Sequence, residues 1–268
     1  MNIDGLLKLA LIDSLEARIL IAHALKCTRV QLVIRSKDEL SRQQVTEISE
    51  LFMRRMQGEP IAYLIGEREF SGLRFEVTPD VLIPRPETEL LVEIAKEKLP
   101  KGGMALDLGT GSGAIAVSLA HERRDAKVTA TDISEAALVV ARRNASQLGV
   151  AIRFIQSDWF DKVDSQFDLI VSNPPYITAG DPHLAQGDLR YEPRSALTDD
   201  ANGMMHLTSI VDGASAHLKP GAWLLMEHGY DQAAAVRALL SKAGWQQIKS
   251  WQDLSGIERM TGAVRPAN

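Results

Sequence analysis

The chain has 268 residues, 45% of them hydrophobic, and a net charge of −5, which is typical of an ordinary globular protein with one large domain or a large and a small one. The acidic balance argues against non-specific nucleic-acid binding, and direct nucleic-acid binding is not expected. The single cysteine, Cys27, excludes a disulfide within the chain, and neither cysteine nor histidine spacing indicates a metal site. No apolar run is long enough to span a membrane. The amino terminus carries acids where a secretory signal would carry bases, so the cytoplasm is the expected location.

Residues 1–66 are predicted to form a small bundle of helices that constitutes a separate domain. One helix is expected to begin after Asp13, with Glu16 three positions on as in a capping box. Its apolar positions at helical spacing are Leu15, Ile19 and Ala22. A later helix is expected to begin at Ser41. Its apolar face would be formed by Val45, Ile48 and Phe52.

Residues 67–83 change character, because glycine and proline punctuate two short runs that flank a Ser-Gly turn. This pattern predicts a β-hairpin that links two domains. Residues 84–268 would form the second domain. Pro86 is expected at the first turn of its first helix, with acidic residues near the positive end of the helix dipole.

Strands and helices then alternate, from "MALDLG" at residue 104 to the last strand near residues 259–264. Such alternation predicts an α/β fold, namely a doubly wound, mostly parallel sheet with helices on both faces, of the Rossmann-like kind. Ligands of such sheets bind beyond the carboxyl ends of the strands. A long polar loop is expected over residues 177–202, and "RRNASQ" after Val140 is expected to be a solvated helix face.

The stretch "LDLGTGSGA" places a glycine-rich loop at the end of a strand. Its glycines would permit a tight turn and the close approach of a ligand. The residues of this loop are Gly109, Thr110, Gly111, Ser112 and Gly113. Asp132 ends the next strand, where its carboxylate could accept both hydroxyls of a ribose, although it could also simply cap the helix that begins at Ser134.

A third strand end, "SDW", offers Asp158 and Trp159, which could hydrogen-bond and flank an adenine. The glycine loop also fits the dinucleotide pattern through Gly109, Gly111 and Ala114, with Asp132 near the expected distance. A nicotinamide-dependent oxidoreductase is therefore an alternative at this point. A nucleoside-binding module without catalytic activity is another.

The fourth strand end, "FDLIVSNPPYI", favours methyl transfer to a planar nitrogen over hydride transfer. The lone pair of an amide or exocyclic amine nitrogen is delocalised, so acceptors aimed at its N–H groups would orient it for attack. Asn173 could supply its side-chain oxygen and Pro174 its carbonyl, while Pro175 offers no competing donor. Tyr176 could lie against the flat group that is methylated. His228 in "MEHGY" is expected to pack or cap rather than to act in catalysis.

The order "DLGTGSG", Asp132, "SDW", "NPPY" resembles the class I S-adenosylmethionine-dependent methyltransferases that methylate nitrogen. The stretches "GEPIAYLIGEREFSGLRFEV" and "LIPRPETE" are similar to the linker of the release factor glutamine methyltransferases. "DPHLAQGDLRYEP" and "LLMEHGY" match the same family, so the resemblance covers essentially the whole chain.

The resemblance implies that the substrate is the glutamine of the Gly-Gly-Gln motif in class I peptide release factors, methylated on its side-chain amide nitrogen. It also implies that Gly109 to Gly113, Asp132, Trp159 and Asn173 bind S-adenosylmethionine, and that Asn173 to Tyr176 hold the glutamine. The helices of residues 1–66 would dock the release factor. An adenine-N6 methyltransferase stays open as an alternative, although it would be expected to carry a basic cleft or a target-recognition domain.

Overall fold

The computed structural model describes residues 1–267, which divide into two compact units. The first unit contains residues 1–67 together with residues 185–191, and the second contains residues 68–184 and 192–267. The helices of the first unit are α1 (Ile3–Leu9), α2 (Ser14–Ala24), α3 (Arg29–Ile34), α4 (Arg42–Met56) and α5 (Ile61–Ile65).

The predicted helix after Asp13 is present, but of its three predicted apolar positions only Ala22 is buried, while Ile19 is partly buried. Asp13 caps α2 by accepting from the backbone N–H groups of residues 15 and 16. The side chain of Glu16 does not complete a capping box, because its carboxylate pairs with Arg55 of α4 at 2.7 Å. The buried side chains are Ala17, Leu20, Ile21 and Ala22, whereas Leu15 is 52% exposed. The face of α2 is thus set by its packing on α3, α4 and α5, which the spacing within one helix does not show.

The helix that begins at Ser41 follows the prediction closely. Ser41 caps α4, and Gln44 completes a reciprocal capping box with it. Ile48 and Phe52 are buried in the core of the first unit, and Val45 packs against that core.

The predicted hairpin is present as β1 (Glu67–Phe70) paired with β2 (Leu73–Glu76). Phe70 and Phe75 are both buried in a large apolar core of the second unit, where their rings meet edge to face at 6.0 Å. The remaining helices are α6 (Glu89–Lys98), α7 (Ala114–Glu122), α8 (Glu135–Gln147), α9 (Met205–His217) and α10 (Ala233–Lys242). A turn of 3₁₀ helix over Pro86–Thr88 precedes α6, so Pro86 starts the first turn as predicted.

A seven-stranded sheet forms the centre of the second unit. Its strands are β3 (Met104–Leu108), β4 (Lys127–Asp132), β5 (Ile152–Gln156), β6 (Phe167–Ser172), β7 (Leu218–Glu227), β8 (Gln246–Gln252) and β9 (Glu258–Val264). The order is β5-β4-β3-β6-β7-β9-β8, with the first five strands parallel and β9 antiparallel to both of its neighbours. This is the predicted doubly wound, mostly parallel sheet.

The sheet separates two apolar cores because successive side chains of a strand point to opposite faces. In β6, Leu169 and Val171 belong to one core and Ile170 to the other. In β3, Ala105 and Leu106 divide in the same way. All five are essentially inaccessible to solvent, which explains why these strands read as continuous apolar runs.

Candidate active site

The carboxyl ends of three central strands meet where the strand order reverses. Leu108, the last residue of β3, pairs with Thr131 of β4 on one side and with Ser172 of β6 on the other. The glycine loop, Asp132 and Asn173 follow directly after these paired residues. Such a switch point is where doubly wound sheets bind their ligands.

Asp132 holds the glycine loop in place. Its Oδ2 accepts the Gly111 N–H at 2.8 Å, and its Oδ1 accepts the Ser134 N–H at 2.9 Å. Each carboxylate oxygen therefore keeps about one lone-pair site for a ligand. Burial raises the pKa of Asp132, and the backbone hydrogen bonds act against that rise. The carboxylate lines the cavity described below, while α8 is capped by the side chain of Ser134, which accepts the Ala137 N–H at 3.2 Å. Binding of a ribose by Asp132 stays a prediction.

Two glycines of the loop have different roles. Gly111 has a φ of 55°, and a side chain there would meet no atom within 4 Å, so its backbone borders open space. Gly113 has a φ of 83°, and an added Cβ would lie 3.1 Å from the Cβ of Ala141 and 3.2 Å from Val117 Cγ2. Gly113 thus permits close packing of α7 and α8, and it is not among the residues that line the cavity.

A cavity of about 550 Å³ lies at this edge of the sheet. Among the predicted site residues, its lining includes Gly109, Thr110, Gly111, Ser112, Asp132, Asp158, Trp159, Asn173 and Pro175. Its charged side chains are mainly acidic, namely Asp80, Asp132, Asp158, Asp199 and Asp200 against Arg85. The volume is typical of a small-molecule site, and the charge favours a cationic ligand over one that carries phosphates.

Asp107 lies beneath the glycine loop and was not among the predicted site residues. Its side chain is fully buried, and its Oδ2 accepts from Thr110 Oγ1 at 2.7 Å and from the Ala116 N–H at 3.2 Å. Its Oδ1 has no hydrogen-bond partner among the described residues. Burial raises the pKa of Asp107 to about 7. A buried oxygen without a partner is a place where a ligand's donor or a bound water would be favourable.

Asn144 of α8 holds the other side of the loop, although "RRNASQ" was expected to be a solvated face. Arg142 and Arg143 are exposed as expected, but Asn144 is fully buried. Its Nδ2 donates to the Ser112 carbonyl at 2.8 Å, and its Oδ1 accepts the Glu76 N–H at 2.7 Å. One amide therefore ties the glycine loop to the hairpin.

Trp159 and Asp158 lie at the end of β5, as the "SDW" stretch predicted. Trp159 lines the cavity, and its ring lies 5.2 Å from that of His206, measured between centroids. The segment before His206 is fixed by Asp199, which accepts backbone N–H groups from Ala201, Gly203 and Met205. Burial acts to raise the pKa of Asp199, but these three bonds outweigh it and lower the pKa. The sequence indicated neither His206 nor Asp199.

The Asn-Pro-Pro-Tyr segment is anchored by two side chains from distant parts of the chain. Asn173 Nδ2 donates to Thr88 Oγ1 at 3.1 Å, and the Tyr176 hydroxyl donates to Glu227 Oε1 at 2.9 Å. Asn173 and Pro175 line the cavity, whereas Pro174 is buried and Tyr176 is not part of the lining. Burial first, and then the charge of Glu227, raise the pKa of Tyr176 well above its usual range, so its hydroxyl stays protonated.

His228 packs as the sequence predicted. It is fully buried, with Nδ1 at 2.9 Å from its neighbour's carbonyl and Nε2 at 2.8 Å from Thr261 Oγ1. Burial lowers its pKa. Within "MEHGY", Glu227 contacts the Asn-Pro-Pro-Tyr segment through the Tyr176 hydroxyl, and the sequence did not indicate this role.

Neither a metal site nor a membrane-spanning helix is found in the part of the chain that the structure describes. No group of three or more His, Cys, Asp or Glu side chains in residues 1–267 could hold a metal ion. Over the same residues, no helix combines the length and the apolarity needed to cross a bilayer.

Comparison with known proteins places the chain in a family. The family model described as the methyltransferase small domain matches residues 86–189, and the PrmC N-terminal domain matches residues 6–66. The release factor glutamine methyltransferase of Burkholderia pseudomallei is 54% identical over 97% of this chain and 95% of its own. The chain belongs to the release factor glutamine methyltransferase family. The family member of Neisseria gonorrhoeae is 48% identical, with 97% of each chain covered.

Solved structures agree with a methyltransferase fold. A methyltransferase from Pyrococcus furiosus aligns with a TM-score of 0.56 and 23% identity, over 81% of this chain and 99% of that one. An N2-guanine 16S rRNA methyltransferase from T. thermophilus, solved with AdoMet and guanosine, aligns with a TM-score of 0.55 and 20% identity over 74% of this chain and 49% of that one. As a release factor glutamine methyltransferase family member, the chain is a methyltransferase, and the oxidoreductase and binding-module alternatives are wrong.

Proposed function

We propose that this enzyme transfers a methyl group from S-adenosylmethionine to the side-chain amide nitrogen of the Gly-Gly-Gln glutamine in class I peptide release factors, in the cytoplasm. Membership of the family supports the reaction and the substrate. The observation that carries the proposal is that Asn173 lines the same cavity as the glycine loop and Asp132. The residue able to orient the acceptor nitrogen is thereby next to the residues able to bind the donor.

The cavity fits S-adenosylmethionine on charge and on size. The donor has a net positive charge, and five aspartates line the cavity against one arginine. When bound, S-adenosylmethionine supplies an electrophilic methyl group on a positively charged sulfur that leaves as a neutral thioether. The residues that would hold it are Gly109–Ser112, Asp132, Asp158 and Trp159.

Asn173 and Pro174 would orient the nitrogen that attacks. Because Asn173 Nδ2 is bonded to Thr88 and the two branches of a planar amide diverge, Oδ1 is directed away from Thr88. Asn173 Oδ1 and the Pro174 carbonyl would each accept one N–H of the substrate amide. Two acceptors hold the nitrogen in one orientation and favour the geometry that it reaches during attack.

Tyr176 would contribute its ring rather than a proton. Its hydroxyl is already committed to Glu227 and stays protonated, so the ring is held at a fixed position beside Pro175. A thioether leaving group needs no protonation, and the methylated nitrogen loses one proton. No strong general base is required for that step, and we assign none.

We further propose that residues 1–66 dock the release factor, residues 67–83 link, and residues 84–268 carry out the transfer. The first unit has a core of its own and many exposed apolar side chains, which a protein partner would cover. Among the exposed ones on α3 are Val30, Val33 and Ile34.

Incubation with a purified release factor and donor carrying a labelled methyl group tests the proposal. Peptide mapping by mass spectrometry should find one added methyl, on the motif glutamine. A methyl on another residue, or none, would overturn the proposal. Calorimetric titration should show binding of S-adenosylmethionine and no binding of NAD.

A further inference from the structure

Four side chains of the second unit form one hydrogen-bonded chain behind the Asn-Pro-Pro-Tyr segment. Asn173 Nδ2 donates to Thr88 Oγ1 at 3.1 Å, and Thr88 Oγ1 donates to Glu227 Oε2 at 2.7 Å. The Tyr176 hydroxyl donates to Glu227 Oε1 at 2.9 Å. Glu227 is therefore bonded to both ends of the segment, once directly and once through Thr88.

The direction of these bonds is fixed by the number of protons available. A threonine hydroxyl has a single proton, and Thr88 donates it to Glu227. Thr88 can then only accept from Asn173, which requires the NH₂ group of the amide to face Thr88. The oxygen of Asn173 must then face the other way. If Thr88 instead donated to Asn173, the amide would turn over and present NH₂ where the substrate needs an acceptor.

Thr88 and Glu227, which together form the relay from Tyr176 to Asn173, are shielded from water, so solvent does not compete with their hydrogen bonds. Thr88 is 4% exposed and Glu227 is 1% exposed. In a site of low polarity, each hydrogen bond is stronger than in water and a wrongly directed one is costly. Glu227 with a negative charge is a pure acceptor, and the two donors that reach it, Thr88 and Tyr176, match its two oxygens.

We propose that Glu227 and Thr88 are positioning residues of this enzyme, and that the ionised Glu227, acting through Thr88, keeps Asn173 Oδ1 directed at the substrate nitrogen. This inference rests on the proposed function. Glu227 does not line the cavity, whereas Thr88 lines it together with Asn173. In this proposal, both act through the orientation of Asn173.

The charges around Glu227 make its ionisation sensitive to pH near neutrality. Burial raises the pKa of Glu227 to about 7, and the hydrogen bonds from Thr88 and Tyr176 oppose that rise. The nearby charge of Glu87 raises the pKa and that of Arg259 lowers it. A protonated Glu227 would donate to Thr88 or compete with Tyr176, and the hydrogen bonds between Glu227, Thr88 and Asn173 would no longer have one fixed direction. Turnover should therefore fall as the pH falls through this pKa.

Thr88→Val tests the relay, and Thr88→Ser is its matched control. Valine has nearly the same shape as threonine and lacks the hydroxyl, whereas serine keeps it. We expect kcat of Thr88→Val to fall by about 10–100-fold, the loss typical of a misplaced catalytic group. The Kd for S-adenosylmethionine and the KM for the release factor should stay within about threefold, and Thr88→Ser should regain most of kcat. A Thr88→Val enzyme with unchanged kcat would overturn the inference.

The pH profile of kcat supplies a measurement that does not depend on the folding of a variant. The natural enzyme should lose turnover on the acidic side of a midpoint near the pKa of about 7, and Glu227→Gln should lack that dependence. A flat profile for the natural enzyme would overturn the inference. Natural enzyme that does not methylate the release factor at all would overturn the proposed function, and this inference with it. If the natural enzyme methylates the release factor and Thr88→Val has the same kcat, the relay is refuted while the proposed function stands.

Discussion

Replacing Asp132 by alanine should weaken donor binding by a predictable amount. The carboxylate already accepts the Gly111 and Ser134 N–H groups at 2.8 and 2.9 Å, and each oxygen keeps about one lone-pair site for a ribose hydroxyl. Loss of one charge-assisted hydrogen bond costs about 1.5–3 kcal/mol. That loss corresponds to a Kd for S-adenosylmethionine about 10–150-fold higher. Because the variant also releases the Gly111 N–H, the upper part of this range is expected.

Calorimetric titration with S-adenosylmethionine is the assay, and Asp125→Ala is the matched control. Asp125 also accepts a backbone N–H, that of Gly102 at 2.7 Å, but it is exposed and does not line the cavity. Its variant should bind the donor normally. Burial raises the pKa of Asp132, so the affinity of the natural enzyme should also decrease as the pH falls towards that pKa. An Asp132→Ala enzyme that is folded and binds the donor within twofold of the natural enzyme would refute the assignment.

Three further predictions concern other parts of the chain. Asn173→Ala should lose most of kcat with a modest change in the donor Kd, because the contact of Asn173 with the substrate nitrogen matters most during attack. Asn173→Asp keeps an oxygen acceptor and should retain some activity. Rapid-quench kinetics check both variants. Removal of residues 1–66 should spare donor binding but greatly lower kcat/KM for the intact release factor, and full-rate methylation by a folded truncation would show that these helices do not dock it. Burial raises the pKa of Asp107 to about 7, so the folded state holds the proton of this carboxyl more tightly than the unfolded state does. As the pH rises from about 4 to about 7, the free energy of unfolding should therefore fall by up to about 1.4 kcal/mol per pH unit. Urea unfolding at several pH values should show that the free energy of unfolding of Asp107→Asn changes less with pH than that of the natural enzyme. The same pH dependence in both proteins would contradict the burial argument.

The parts of the site that local sequence could predict are those that follow directly from strand ends. The glycine loop, Asp132 and Asn173 each end a strand that can be read from its apolar residues, and parallel pairing then brings them together. Thr88 and Glu227 could not be predicted this way. They are 139 positions apart, and neither belongs to a pattern that marks it as buried. Only the packing of the 3₁₀ turn at Thr88 against the end of β7 makes the contact.

The helical unit shows the same limit on a smaller scale. Leu15 of α2 is one of the apolar positions at helical spacing, yet it is 52% exposed. Glu16 had the position for a capping box, yet Arg55 from another helix offered a charged partner at 2.7 Å. Asn144 lies in "RRNASQ", which is expected from the sequence to be a solvated helix face, and its burial depends on the hairpin and the glycine loop that it joins. In each case a contact from a distant segment decided the outcome.

The central claim is that the site formed by Asn173 and Pro174 accepts two N–H groups of one nitrogen. The most direct test is a single-turnover measurement of methyl transfer to intact release factor that carries either the motif glutamine or a glutamate in its place. Glutamate has nearly the same shape but would point oxygens at two acceptors, and a site built for a donor rejects such an analogue by about 10⁴–10⁵-fold. We predict one methyl on the glutamine substrate and none detectable on the glutamate substrate. Methylation of the glutamate substrate at a comparable rate would contradict this account of the Asn-Pro-Pro-Tyr segment.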